Sequence, residues 1–329
     1  MNYVGSSRAK RGGGWKKWVL ALAVLAAIGG GAWFFYPEIS PAIQGALGKS
    51  QPSAPDDVPD VLDMDAPPDI EDDAASATVS ADQAREDEIR MALAEAKELD
   101  GEDRVLEARQ KLLELMKDPK ELGASRAAVE EFLGEVNVAL VMTPRTMPGK
   151  VVYSVEEGDT LGKIVDKFVC PKLHIMKMNN IQDENKIHPG DVLRVLDRPK
   201  YDITISKTDN TLVLTLNGEF FRRYKVGTGE FGKTPVGTFV IDDKIENPPW
   251  WKDGKAIPFG DKDNILGTRW MRISATGDTT PVSGYGIHGT WDNSTLGKQS
   301  SAGCIRMNNA DVEEVFMLVP RGTTVTITE

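Results

Sequence analysis

Two cysteines and three histidines in 329 residues are too few for a disulfide framework or a Cys/His metal cluster, and neither His174 nor His188 stands at metal-ligand spacing. Positive charge is also short. Against 50 Asp and Glu there are 39 Lys and Arg, and the net charge of -11 argues against nucleic acid as a partner. No internal repeat recurs convincingly, and a solenoid needs about three stacked units. What remains, 40% hydrophobic and 27% charged, is ordinary for a folded protein long enough for two or more domains.

Residues 1–17 form a basic tail with Arg8, Lys10, Arg11, Lys16 and Lys17, followed by an uncharged run from Trp18 to Tyr36. Nineteen helical residues at 1.5 Å each span about 28 Å, close to one bilayer core, with Trp18, Trp33 and Tyr36 as interfacial aromatics. The run reads as a membrane anchor with its basic side cytoplasmic. The competing reading is a cleaved signal peptide ending near Gly29–Ala32. Either exports the rest of the chain. Residues 37–80, rich in Pro, Asp, Ala and Ser, read as a disordered linker.

Over residues 81–145 the apolar positions recur at helical spacing: Ile89, Leu93, Ala96 and Leu99; Val105, Leu106, Leu112, Leu113 and Met116; Val129, Phe132, Leu133, Val136 and Leu140. Asp100-Gly101, Asp118-Pro119 and Gly123 punctuate them, which predicts three helices. The first pair resembles a tetratricopeptide-type hairpin, so the region is either a surface for a protein partner or a spacer. Beyond Arg198-Pro199, Tyr201, Ile203 and Ile205 alternate with polar residues, as do Leu212, Leu214 and Leu216. Turns at Asp209-Asn210 and Asn217-Gly218 predict consecutive hairpins, followed by a mainly β region with one helix near 311–318 and a last strand at 323–327.

The chemistry concentrates in Gly286-Ile287-His288-Gly289-Thr290 and Ser301-Ala302-Gly303-Cys304-Ile305-Arg306-Met307. A histidine and a cysteine stand sixteen residues apart, each beside glycine. An imidazole that takes the thiol proton and returns it to a leaving amine makes such a pair a catalytic dyad. The amides of Gly303 and Cys304 are candidates for an oxyanion hole. Arg306, two residues past the thiol on one side of a strand, offers a fork to a carboxylate. A bridge between Cys170 and Cys304 would consume the nucleophile, so Cys170 is read as free. The long loop 246–259 carries Pro248-Pro249-Trp250-Trp251; one indole is expected to pack on the sheet and the other to contact substrate.

Those two motifs, with Thr234–Phe239 and Leu266–Trp270, resemble the L,D-transpeptidases of bacterial cell walls over residues 200–329. The resemblance implies a β-sandwich whose His288 and Cys304 segments face a cleft, with Cys304 as nucleophile and His288 as general base and acid. It also implies that the Gly289 carbonyl or the Ser301 hydroxyl orients His288, and that Trp250, Thr290 and Arg306 contact substrate. Many members have histidine where Ala302 stands.

Residues 150–197 run strand, helix, helix, strand, and resemble a lysin motif (LysM) domain of small α+β type. That family binds peptidoglycan glycan, here near Gly158, Asp159, Thr160, Asn179, Asn180 and Ile181. His174 and His188 are read as surface residues of this module.

Together these imply an enzyme of the cell envelope, anchored in the inner membrane with its domains outside. Its Cys304 would form a thioester with a peptide stem, expel the terminal D-alanine and pass the acyl group to the amine of a third-position diamino residue. No metal or organic cofactor is implied. Water, a free D-amino acid or a protein lysine as acceptor would make the same site a carboxypeptidase, an exchange enzyme or an anchoring enzyme. The reading from another class is a wall-binding structural protein with a vestigial dyad.

Overall fold

The computed structural model describes residues 71–329, with side chains from Asp82 onward. The basic tail, the Trp18–Tyr36 run and residues 37–70 lie outside the described residues. Among the described residues no helix is long and apolar enough to cross a membrane.

Three helices come first: α1 (Glu71–Gly101), α2 (Val105–Leu115) and α3 (Arg126–Met142). Helix α1 begins inside the stretch read as linker. Pro67-Pro68 is the last helix-breaking pair, and the Ala-, Glu- and Asp-rich residues after it carry no proline or glycine until Gly101. The helices bury the expected faces, Ile89, Leu93 and Ala96 against Val105, Ala108 and Leu112, with Val129, Leu133, Val136 and Leu140 closing the core.

The next unit is β1 (Lys150–Ser154), α4 (Leu161–Phe168), α5 (Lys172–Met178) and β2 (Val192–Leu196), with β1 and β2 antiparallel. Thr160 caps α4 through a bond from the Lys163 amide to its hydroxyl at 3.3 Å. His188 is exposed and pairs with Asp191. His174 is not the surface residue expected: it is fully buried, with Nε2 3.0 Å from the Val141 carbonyl and Nδ1 3.7 Å from Cys170 Sγ. The reason is packing, because α5 lies against α3 and covers a face that a lone module would leave wet. Burial pushes His174 down to about 4 and Cys170 up to about 12.

The remaining strands are β3 (Tyr201–Ser206), β4 (Thr211–Leu216), β5 (Glu219–Lys225), β6 (Thr228–Gly229), β7 (Gly237–Glu246), β8 (Trp250–Lys252), β9 (Lys255–Ile257), β10 (Arg269–Ala275), β11 (Gly286–Thr290), β12 (Gln299–Ser301) and β13 (Ile305–Asn308), then α6 (Asn309–Leu318) and β14 (Thr324–Thr328). The hairpins β3–β4–β5 form as expected. Asn217 and Gly218 both take positive φ (54° and 85°), the twist that lets a two-residue turn match paired strands. Where a sandwich would divide its strands between two sheets, hydrogen bonding joins eight of them in one run, β13-β11-β10-β7-β14-β3-β4-β5. β11–β13 and β14–β3 are parallel; the other neighbours are antiparallel. Two ribbons, β12–β6 and β8–β9, stand beside this sheet.

One edge of the sheet, β5, is covered by α3. Asn137 Nδ2 donates to the carbonyls of Phe220 (3.2 Å) and Phe221 (2.9 Å). Buried Glu130 accepts from Arg223 at 2.5 and 3.0 Å and from Arg126 at 2.9 Å. The helical region therefore occupies an edge that would otherwise present unpaired backbone groups.

Candidate active site

β11 and β13 lie side by side in parallel, and their register sets His288 opposite Arg306. The sixteen-residue interval is thus one crossover between neighbouring strands. It runs through a short turn at Asn293–Thr295 and through β12, and returns Cys304 to the start of β13. Cys304, His288 and Arg306 line one cleft of about 550 Å³, walled by Trp250, Trp251 and Trp270 among others.

His288 is buried, and its Nδ1 lies 2.6 Å from the Gly289 carbonyl. A carbonyl only accepts, so Nδ1 carries the proton and Nε2 is left as the base. Of the two expected orienting groups it is therefore the Gly289 carbonyl that acts. The Ser301 hydroxyl instead donates to the Cys304 carbonyl at 2.7 Å and accepts from the Gly303 amide at 3.0 Å. On the other side Thr234 donates to the Gly303 carbonyl at 2.8 Å, so the loop that carries Cys304 is strapped from both flanks.

That arrangement corrects the expected oxyanion hole. The Gly303 amide is taken by Ser301, whereas the Cys304 amide makes no hydrogen bond among the described residues. Gly303 is needed for a different reason: φ is 134°, and a Cβ would sit 2.5 Å from the Tyr285 ring.

Burial raises the Cys304 thiol, opposed by the backbone at Gly286 and by the charge of Arg306. Burial likewise pushes His288 down to about 4, opposed by the Gly289 and Leu266 carbonyls while Arg306 adds to the depression. Each shift favours the uncharged form of its group. The two side chains are not hydrogen-bonded to each other; Cys304 Sγ lies 3.6 Å from the Gly284 carbonyl. Arg306 makes no ion pair among the described residues, which leaves its guanidinium for a ligand.

Thr290 does not line the cleft. It stands where β11 ends, and its hydroxyl accepts from the Asp292 amide at 3.1 Å. Trp250 and Trp251 both face the cleft, Trp250 partly buried and Trp251 69% exposed, so neither is given over to the sheet alone. In the small module, side chains expected at a groove are committed internally. Asp159 accepts from the Tyr153 hydroxyl at 2.6 Å, and Asn179 holds both the amide and the carbonyl of Arg194 at 2.7 Å. Gly158 offers its carbonyl to Lys163 Nζ, and Asn180 takes a bond from Gln182, while Ile181 is half-buried.

Sequence reasoning missed Trp270 as a site residue. Its ring stacks on His288 with centroids 5.7 Å apart and planes at 28°, and the two are register partners across β10 and β11. Gly286 makes the stack possible, since a Cβ there would lie 2.7 Å from the indole.

Residues 200–327 match the YkuD L,D-transpeptidase catalytic domain, and residues 153–196 match the LysM domain. The putative L,D-transpeptidase YkuD of Bacillus subtilis is 33% identical over 182 residues, 54% of this chain and 98% of the relative. The chain belongs to the L,D-transpeptidase family. A second Bacillus subtilis protein of the family, the putative L,D-transpeptidase YqjB, is 40% identical over 128 residues, 39% of this chain and 70% of its own length. Among solved structures, L,D-transpeptidase 3 from Mycobacterium tuberculosis aligns with 44% of this chain and 77% of its own at 19% identity, with a TM-score of 0.33. In this L,D-transpeptidase the LysM domain precedes the catalytic domain, and both are modules of peptidoglycan-acting proteins.

Proposed function

We propose that Cys304 is the nucleophile with which this L,D-transpeptidase cross-links peptidoglycan stems. The observation that carries the reading is the cleft itself, in which a base at His288 Nε2, a thiol and an uncommitted guanidinium converge from two adjacent strands. His288 Nε2 takes the Cys304 proton as sulfur adds to the carbonyl of the third, diamino residue of a stem. The Cys304 amide, free of any internal acceptor, stabilises the oxyanion. Collapse breaks the amide, and the D-alanine amine leaves with the proton from His288. The side-chain amine of a neighbouring stem then attacks the thioester, gives its proton to His288 and releases the thiol. Arg306 binds a stem carboxylate, and Trp250 forms part of the wall against which the stem lies.

The LysM domain adds glycan affinity and raises the local concentration of stems. The Trp18–Tyr36 run holds the chain in the inner membrane with these domains on the outer side, which accords with where the substrate is found. The test is mass spectrometry of full-length reduced protein with a disaccharide-tetrapeptide, beside Cys304→Ala. A dimer lighter by one D-alanine, absent in the variant, is expected. Loss of D-alanine without dimer would replace transpeptidation by hydrolysis, and no product from folded protein would refute the reading.

A further inference from the structure

Three exposed aromatic side chains stand on elements that carry or adjoin the active site, and the mechanism uses none of them. Trp251 is 69% exposed and belongs to the cleft wall; Trp291 (56%) and Phe259 (39%) stand beyond it. A single exposed ring is ordinary, but these two lie together with centroids 6.1 Å apart and planes at 45°, an apolar patch rather than a scattered side chain.

Their backbones are fixed. Trp291 directly follows β11, the strand of His288. Phe259 lies in the loop after β9, which buried Asn264 staples to the cleft wall. Asn264 Nδ2 donates to the carbonyls of Pro248 (2.9 Å) and Ile257 (3.1 Å), and its Oδ1 accepts from the Leu266 amide at 3.0 Å. Pro248 and Leu266 themselves line the cleft. The pair is thus an apolar surface on two segments tied to residues that line the cleft, and preorganisation of this kind reduces the entropy cost of binding.

We infer that Phe259 and Trp291 form a saccharide platform that takes the sugar to which the reacting stem is attached. The inference rests on the transpeptidase reading and names a further part of its substrate. The reacting carbonyl belongs to the third stem residue, so two residues separate it from the glycan. Three residues of extended chain, His288 to Trp291, span about 10 Å at roughly 3.3 Å each, and the intervening stem has about the same reach. A pyranose ring presents a face of C–H groups to such rings and its hydroxyls to water, matching a pair of tilted rings that is apolar and open to solvent. A peptide alone has no group to place there, because its chain ends at the glycan side.

The experiment compares two acyl donors, the free tetrapeptide and the disaccharide-tetrapeptide, in full-length wild type and in the Phe259→Ala/Trp291→Ala double variant. The preference for the saccharide-linked donor, read as the ratio of the two kcat/KM values, should fall roughly three- to tenfold in the variant. The LysM contribution is present in both proteins and cancels. An unchanged ratio overturns the platform, including the case where both donors slow together because the rings merely support the cleft. The same ratio is also read as dissociation constants by NMR titration in a Cys304→Ala background. Absence of turnover in the wild type would refute the transpeptidase reading, while the binding ratio would still decide the platform.

Discussion

Trp270 gives His288 what its burial takes away. In the proposed mechanism the imidazole accepts the Cys304 proton and becomes a cation in a site where burial already holds its resting pKa near 4. The stacked indole face lies 5.7 Å away. A desolvated cation over Trp gains about 2 kcal/mol, and the gain exists only once the charge has formed. Trp270→Leu should therefore lower kcat by up to roughly thirtyfold with little change in KM, with Trp270→Phe intermediate, in steady-state assays. Gly286→Ala, which drives a methyl into the ring, should follow the Leu variant. The depressed base also fixes the pH profile. Because His288 stays neutral well below 6.5, kcat/KM should hold level through that value and decline only as the pH nears 4; a limb centred at 6.5 would refute a buried neutral base. That His288 and Cys304 meet in one cleft was legible at this scale because residue type and spacing point to it. The roles of Ser301, Thr290 and Trp270 were not, since each depends on which atom a neighbouring strand presents.

At the scale of elements, α3 and β5 are joined by polar groups in a largely buried seam. Asn137→Ala would leave the Phe220 and Phe221 carbonyls without their donor, at about 1–3 kcal/mol. Glu130→Ala would strand Arg223 in a partly buried place and should cost more, about 3–5 kcal/mol at the upper bound for a buried pair. Urea unfolding of the full chain reads both. The three helices, the βααβ module and the β3–β4–β5 hairpins followed from periodicity and turn residues, since each is specified within a few dozen neighbouring positions. What covers what was not so specified. The wrong placement of His174 has that origin: local pattern puts it on a short helix, but only the tertiary contact of α5 with α3 removes it from water.

For the whole molecule, the seam means that the catalytic sheet does not stand alone. A fragment of residues 200–329 should expose β5 and the Phe220 region, and should elute as aggregates in size-exclusion chromatography where the full chain does not. Acid should also weaken the native protein. His174 and His288 each have a folded pKa near 4 against an ordinary 6.5, so between those values the unfolded chain binds more protons. Their stability contribution is complete above pH 6.5 and is lost as the pH falls toward 4, by about 3 kcal/mol per residue at most. His174→Gln should flatten that decline in urea midpoints, though starting from a lower value at pH 7. The protonated resting state of Cys304 has one more consequence. Peroxide and stray electrophiles attack thiolate, and this chain shows them little of it. Cys170 is fully buried, and burial raises the Cys304 thiol as well. The desolvation that disfavours thiolate at both cysteines should thus also slow their oxidation, which peroxide titration followed by mass spectrometry reads directly.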